Sequence, residues 1–410
     1  MKALFIHPNF PGQFRHLASY LAAQPQHQVI GLGEMQSVSA QRGSTPGVIL
    51  RGYKMARPAS KGVHHYLSNL ENSILHAQAT LRECLELKKL GFTPDVICVH
   101  AGWGGALYLR EVFPKARIVG YFEYHYHAQG ADIGFDPEFP VSLDNRCEVL
   151  TKNATHLLSW ANCDAGWAPT RWQGQLIPKE YHAKLHIIHD GINTDRLYPN
   201  PEAQFTLADG RTLSRHDEVL TFINRNMEPY RGFHIFMRTL PEIQRRRPQA
   251  MTLIIGSDDD VAYGNKPSTG KTWRETLLAE VGDQLDMSRL YFVGQLAYAQ
   301  YLQVLQLSRA HIYMTYPYIL SWSMLEAMAA GCVVIGSNTP PVAELIQHGN
   351  NGLLFDFFDQ AELANCVEAA LANPAQFDSL RQQARHTIIG QYDLKTVCLP
   401  KQLALLHGNL

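Results

Sequence analysis

Two arginines six residues apart, Arg225 and Arg231, bracket the run Asn-Met-Glu-Pro-Tyr and stop at Gly232. One cation at the end of an apolar strand and one just before a helix can converge on a diphosphate from two sides and neutralise charge as it leaves. Glu326 lies about a hundred residues further on, one turn into a short helix whose first amides belong to Ser323, Met324 and Leu325. Free backbone N–H groups and the helix dipole make such an end a seat for phosphate, and a carboxylate one turn in reaches past it to a ribose diol. The plainer alternatives are a surface ion pair for the arginines and simple complementation of the helix N-terminus for Glu326.

The elements that carry these residues are β-α-β units. His311 to Thr315 is an apolar strand stopped by Tyr316-Pro317, and the loop Tyr318 to Trp322, with Ser321 in it, leads into a helix from about Ser323 to Ala330. Gly331 ends that helix, the strand Cys332 to Ser337 follows, and a turn at Asn338 to Pro341 precedes a helix carrying Glu344. Val219 to Ile223 is the strand that delivers Arg225; Thr252 to Gly256 and Arg289 to Gly294 are further strands of the same domain.

The first half repeats the pattern. Lys2 to His7 is a strand that opens into Pro8 to Gln13, where Gly12 lets backbone approach a ligand at a helix start or serves the turn alone. The dinucleotide pattern G-x-G-x-x-G is absent. Strands at Asp95 to Val99 and Ala116 to Phe122 deliver His100, followed by Trp103, and Glu123, followed by His125. The carboxyl ends of parallel strands are where α/β folds carry their chemistry, so these four are site candidates by position. The loop Gly130 to Pro140 reads as a lid.

The 410 residues, 46% of them hydrophobic, suffice for two α/β domains, and a formal charge of −1 gives no reason to expect nucleic acid as a partner. Residues 1 to 110 hold eleven basic against five acidic residues, an excess suited to an anionic acceptor or an anionic membrane face, or merely to a solvated surface. Seven scattered cysteines without a C-x-x-C pair suggest reduced core thiols in a cytoplasmic protein with neither a zinc site nor a disulfide frame. No run of about twenty apolar residues spans a bilayer, and MKALFIH reads as a strand and loop, not a secretory leader.

The stretch around Glu326 resembles the donor-binding core of retaining glycosyltransferase family 4, whose signature is two glutamates eight positions apart. Glu326 matches the second; the first falls on Tyr318. The resemblance implies the GT-B architecture, two Rossmann-like domains facing each other across a cleft: an N-terminal one over residues 1–197 for the acceptor, a linker at 198–217, a C-terminal one over 218–392 for the nucleotide-sugar donor, and a helix at 393–410 crossing back. It implies a retaining, metal-independent transfer from a UDP- or GDP-sugar to a saccharide or lipid-linked saccharide in glycan or polysaccharide biosynthesis, at the inner membrane face if peripheral, with no resident cofactor. Arg225 and Arg231 match the family's arginine and lysine, Gly12 its glycine near the diphosphate, and the loop Gln295 to Tyr298, with Gln295 and Leu296 as its donor-binding residues, resembles its nucleobase-reading segment. Either Glu123 or His125 inherits the family histidine, with His100 and Trp103 on the acceptor side. Asp258 to Asp260 contains D-x-D, the metal-diphosphate motif of the other major glycosyltransferase fold, and reads here as a solvated strand-end loop. An epimerase or a phosphorylase on the same frame, or a non-catalytic binding subunit, are the rival readings.

Overall fold

The computed structural model describes residues 1–259 and 261–410 and divides into two compact units, Met1–Gly191 with Lys395–Leu410, and Ile192–Leu394. In the first unit, seven parallel strands, β1 (Lys2–Ile6), β2 (Gln28–Glu34), β3 (Ile49–Tyr53), β4 (Val96–His100), β5 (Arg117–Tyr121), β6 (Ala165–Ala168) and β7 (Leu185–Ile187), run in the order β3-β2-β1-β4-β5-β6-β7. β1 is a central strand, paired with β2 on one edge and β4 on the other, and its successive residues Ala3 to Ile6 are all buried, so both faces are covered, which explains an unbroken apolar run where a half-exposed strand would alternate. The order reverses between β1 and β4, and in a doubly wound sheet the crevice beyond the strands' carboxyl ends opens at that point. His7 and His100 follow or close those two strands.

Trp160 anchors the core of this unit, its ring stacked between Phe122 at 3.6 Å and Tyr181 at 5.0 Å. It sits on the helix Leu143–Asn162, which starts at a capping box: the Ser142 side chain accepts from the Asn145 amide and the Asn145 side chain returns the bond. The helix Leu399–His407 belongs to this unit as well. Gln402 donates to the carbonyls of His189 and Asp190 at 3.0 and 3.3 Å, and Arg117 donates to the Leu405 carbonyl at 3.3 Å.

The second unit begins with a hairpin of β8 (Gln204–Thr206) and β9 (Thr212–Ser214). Residues 198–217 are therefore not a free linker: Phe205, Leu207 and Leu213 are buried in the second unit's core. A six-stranded parallel sheet follows, β10 (Val219–Asn226), β11 (Met251–Ser257), β12 (Leu290–Gly294), β13 (Ala310–Tyr313), β14 (Val333–Ser337) and β15 (Leu353–Phe355), ordered β12-β11-β10-β13-β14-β15. Its reversal lies between β10 and β13, the strands that lead to Arg225 and to the loop before Glu326. The helix after β14, Pro340–Ala343, is shorter than the sequence suggests, with Glu344 as the residue that closes it. Ile192 and Leu394 are held side by side, the Leu394 amide donating to the Ile192 carbonyl at 2.9 Å. All seven cysteines are free thiols, and none of the helices among the described residues is long and apolar enough to cross a membrane.

Candidate functional site

At the reversal of the second sheet lies a cavity of about 380 Å³. Its floor is the ends of β10 and β11, through Asn224, Arg225 and Gly256; one wall is Gln295, Leu296 and Tyr301, and the other is the start of the helix Trp322–Ala330 with Ser321, Ser323 and Glu326. Gly256 has φ +145, and a Cβ there would stand 2.0 Å from the Asn224 carbonyl oxygen, so only glycine lets the two strand ends close up under the cavity.

Ser321 caps the helix, its hydroxyl 3.3 Å from the Ser323 amide and 3.1 Å from the Ser323 hydroxyl. Glu326 does not cap that helix. Its carboxylate accepts from the Tyr301 hydroxyl at 2.6 Å and the Tyr298 hydroxyl at 3.2 Å, and burial raises its pKa against the pull of those two bonds. Met324 and Leu325 have fully buried side chains and contribute to the cavity only through the helix they belong to.

Arg225 is exposed and lines the cavity, whereas Arg231 does not line it. Arg231 is buried, and its Nη1 donates to Thr315 Oγ1 and the Ile319 carbonyl, each at 2.8 Å, with the Tyr313 hydroxyl at 3.4 Å and the Tyr263 ring 5.2 Å from its guanidinium carbon. Tyr313 in turn accepts from the Ser321 amide at 2.7 Å. Arg231 is thus tied to the loop that sets the helix start, and the expected convergence of two cations on one cavity is not what the side chains do. Tyr318 is also off the cavity, buried against Tyr263 at 4.9 Å and Tyr230 at 5.5 Å.

Glu228, between the two arginines, is buried with one carboxylate oxygen accepting from the amides of Ala262 and Tyr263 at 2.9 and 2.8 Å. Burial outweighs those bonds and the nearby arginines and pushes its pKa up to about 7. Of the acidic run, Asp258 is paired with Arg274 at 2.9 Å and Asp259 accepts from Ser257 Oγ at 3.2 Å; Asp260 lies outside the described residues.

The first unit has a second group, at the β1/β4 reversal. His7 is buried, its Nδ1 accepting from the Asn9 amide at 2.9 Å, which leaves the ring proton on Nε2 in the neutral form. Burial, then His100, drives its pKa well below the usual histidine value. Gly12, at φ +48 after the cis Phe10-Pro11 bond, closes over this ring: a Cβ there would sit 2.7 Å from it. His7 and His100 meet edge to face at 5.0 Å, and Glu123 Oε2 lies 3.5 Å from His100 Nε2 while Glu123 Oε1 accepts from Gln13 at 3.0 Å. Trp103 is partly exposed, its ring 6.5 Å from that of His100.

His125 stands apart from this group. Its ring neighbours are His127 at 5.7 Å and His156 at 6.3 Å, and burial, reinforced by His127, lowers its pKa to about 4. Glu123, and not His125, stands beside His100 and accepts from Gln13. The loop Gly130 to Pro140 is anchored through buried Asp132, which accepts from the Tyr124 hydroxyl at 2.8 Å.

Sequence reasoning missed His7, Glu228 and Tyr301, and gave Tyr298 only as the end of the nucleobase-reading segment, not as a partner of Glu326. His7 carried a signal, a histidine at a strand end directly before a Pro-Gly loop; the tyrosines carried none, because their partner Glu326 is more than twenty residues away.

Two family models match, the glycosyl transferase family 4 group over residues 25–197 and the glycosyl transferases group 1 over 207–387. Among curated relatives, the glycogen synthase of Mycobacterium tuberculosis is 25% identical over 215 residues, 52% of this chain and 46% of its own, so the chain spans about half the length of that relative. Sucrose-phosphate synthase from Thermosynechococcus elongatus superposes with a TM-score of 0.75 at 17% identity, covering 100% of this chain and 98% of its own. Anabaena HepE in complex with UDP-glucose gives 0.67 at 15%, with 100% of both chains covered. The fold is therefore that of these solved structures, two Rossmann-like α/β domains with parallel sheets.

Proposed function

Because the chain belongs to the group 1, family 4 type of glycosyltransferases, we propose that it transfers a sugar from a nucleoside diphosphate to an acceptor hydroxyl with retention, in the building of a glycan or polysaccharide. The observation that carries the reading is one cavity at the β10/β13 reversal that combines an arginine, the start of a capped helix and a half-buried carboxylate. Arg225 and the helix start meet the diphosphate; Glu326 accepts from the ribose diol; Gln295 and Leu296 lie at the nucleobase. The glycosidic bond breaks with its electron pair passing to the diphosphate oxygen, and the acceptor hydroxyl adds on the same face, its proton going to the departing diphosphate. Arg225 and the helix dipole stabilise that growing charge, so no side chain needs to act as a covalent nucleophile and no metal is required. Arg231 contributes as a positioning residue, through the loop that ends at Ser321.

Glu123, with His100 and Gln13, is the acceptor-side group of the first unit. The acceptor is a saccharide or a lipid-linked saccharide, encountered by peripheral association at the cytoplasmic face of the membrane in the latter case. Binding of UDP and GDP is tested by thermal shift and calorimetry, followed by turnover of the matching nucleotide-sugars; Glu326→Ala should weaken nucleotide binding by about ten- to a hundredfold. An unchanged affinity would remove Glu326 from the site.

A second reading is favoured by one observation, the burial of both Tyr318 and Arg231 at the positions where the family has a glutamate and a lysine. On it, the chain binds a nucleotide-sugar without turning it over. Nucleotide binding with neither transfer nor donor hydrolysis across a panel of sugars would select it.

A further inference from the structure

The two phenols on Glu326 come from a single helix, Tyr298–Leu307, three positions apart, so one face of that helix aims both at one carboxylate. Their rings lie 5.8 Å apart and nearly parallel, yet the two contacts are unequal. Tyr301 lines the cavity, packs on the core beneath it, and donates to Oε2 at 2.6 Å. Tyr298 is 45% exposed, donates to Oε1 at 3.2 Å, and carries the Arg196 guanidinium over its ring at 5.8 Å. A short bond from a packed phenol is costly to break, because the ring has nowhere else to go; a long bond from a half-exposed phenol is exchanged with water or ligand at little cost.

A carboxylate that must accept two vicinal hydroxyls needs a fixed orientation and an oxygen within reach of the ligand. We propose that Tyr301 is a positioning residue that locks the Glu326 carboxylate for a vicinal diol, and that Tyr298 is a placeholder whose hydroxyl keeps Oε1 hydrogen-bonded until a ribose hydroxyl displaces it. Together they set the preference for a ribonucleotide over a nucleotide lacking the diol. This rests on the reading of Glu326 as the ribose acceptor. The two tyrosines therefore act on affinity with opposite sign although they touch the same group.

The experiment is calorimetry on the full chain with UDP and GDP and with the 2′,3′-dideoxy form of each, for wild type, Y298F, Y301F and E326A, each checked by thermal melt. Y298F is expected to bind the ribonucleotide about two- to tenfold tighter, with the dideoxy form unchanged, because no resident donor has to be displaced. Y301F is expected to lose about two- to tenfold of the ribose preference. Weaker ribonucleotide binding by Y298F, or Y301F with the full wild-type preference, would overturn the proposal. Should Y301F fail to fold, the sign of the Y298F effect decides alone. A wild type that ignores the diol, or E326A that keeps the preference, removes the ribose reading itself and the proposal with it, whereas loss of preference in E326A beside weakening in both tyrosine variants overturns only the proposal.

Discussion

Arg231 Nη1 donates to the carbonyl oxygen of Ile319, 88 residues away, at 2.8 Å, and the same nitrogen reaches Thr315 Oγ1. The guanidinium is a bracket between the end of β10 and the loop that runs to Ser321. Arg231→Ala leaves these buried acceptors unpaired, each at about 1–3 kcal/mol, so the variant should melt lower and lose kcat together. Lysine supplies one point charge in place of the planar fork and should restore the melt only in part. Paired melts and steady-state turnover check this. An alanine variant that melts like wild type would mean the bracket carries no stability.

Glu228 predicts a pH dependence with a defined sign. Its folded pKa is raised from 4.5 to about 7, chiefly by burial. The folded state then holds a proton that the unfolded state has released between those values, so the stabilising contribution is complete below pH 4.5 and is lost as pH rises through 7, about 3 kcal/mol in all. Glutamine keeps a carbonyl oxygen for the Ala262 and Tyr263 amides and has nothing to ionise. Melts of wild type and Glu228→Gln from pH 5 to pH 8 should diverge in favour of glutamine as pH rises; parallel curves would contradict the assignment.

Gly256→Ala should damage the cavity from below. The new methyl would meet the Asn224 carbonyl at 2.0 Å, and φ +145 is unsuited to any side chain, so the strand ends must part. The expected outcome is a lower melt, by about 1–3 kcal/mol, with nucleotide affinity reduced in the fraction that remains folded. Wild-type affinity and melt would show that β10 and β11 can separate freely there.

Chelation should leave transfer intact. On the proposed reading the positive potential at the diphosphate comes from Arg225 and the helix start, which line the cavity, and in the acidic run after β11 Asp258 is committed to Arg274. Turnover is compared with and without a strong chelator; complete loss, restored by one divalent metal, would require a metal site instead.

Much of the architecture is legible in the sequence because strands covered on both faces write themselves as unbroken apolar runs, as at Val96–His100 and Val333–Ser337. Boundaries are set by caps as well as by apolar rhythm: the helix Leu143–Asn162 starts where the capping box of Ser142 and Asn145 fixes it. The hairpin in residues 198–217 reads as linker because its strands are three residues long and its inward residues, Phe205 and Leu213, are outnumbered by polar ones, although Asp209-Gly210 between them is a hairpin signal. At the site, the residues of the β10 and β13 ends are readable since they sit at strand ends. The fate of Arg231 is not, because its acceptors Thr315 and Ile319 are distant in sequence and one is a backbone carbonyl. Tyr301 is hidden for the same reason: nothing local to a tyrosine in an apolar helix announces a carboxylate partner.

The helix Leu399–His407 has a consequence for biogenesis. It packs with β5 and with the residues just before Ile192, yet the ribosome makes it only after the entire second unit. The nascent first unit must therefore wait with the seat of Leu399, Leu405 and Leu406 uncovered, apolar surface that a chaperone can hold. A chain released before this helix would carry a finished second unit and an unfinished first one, so truncation there should be felt at the opposite end of the sequence.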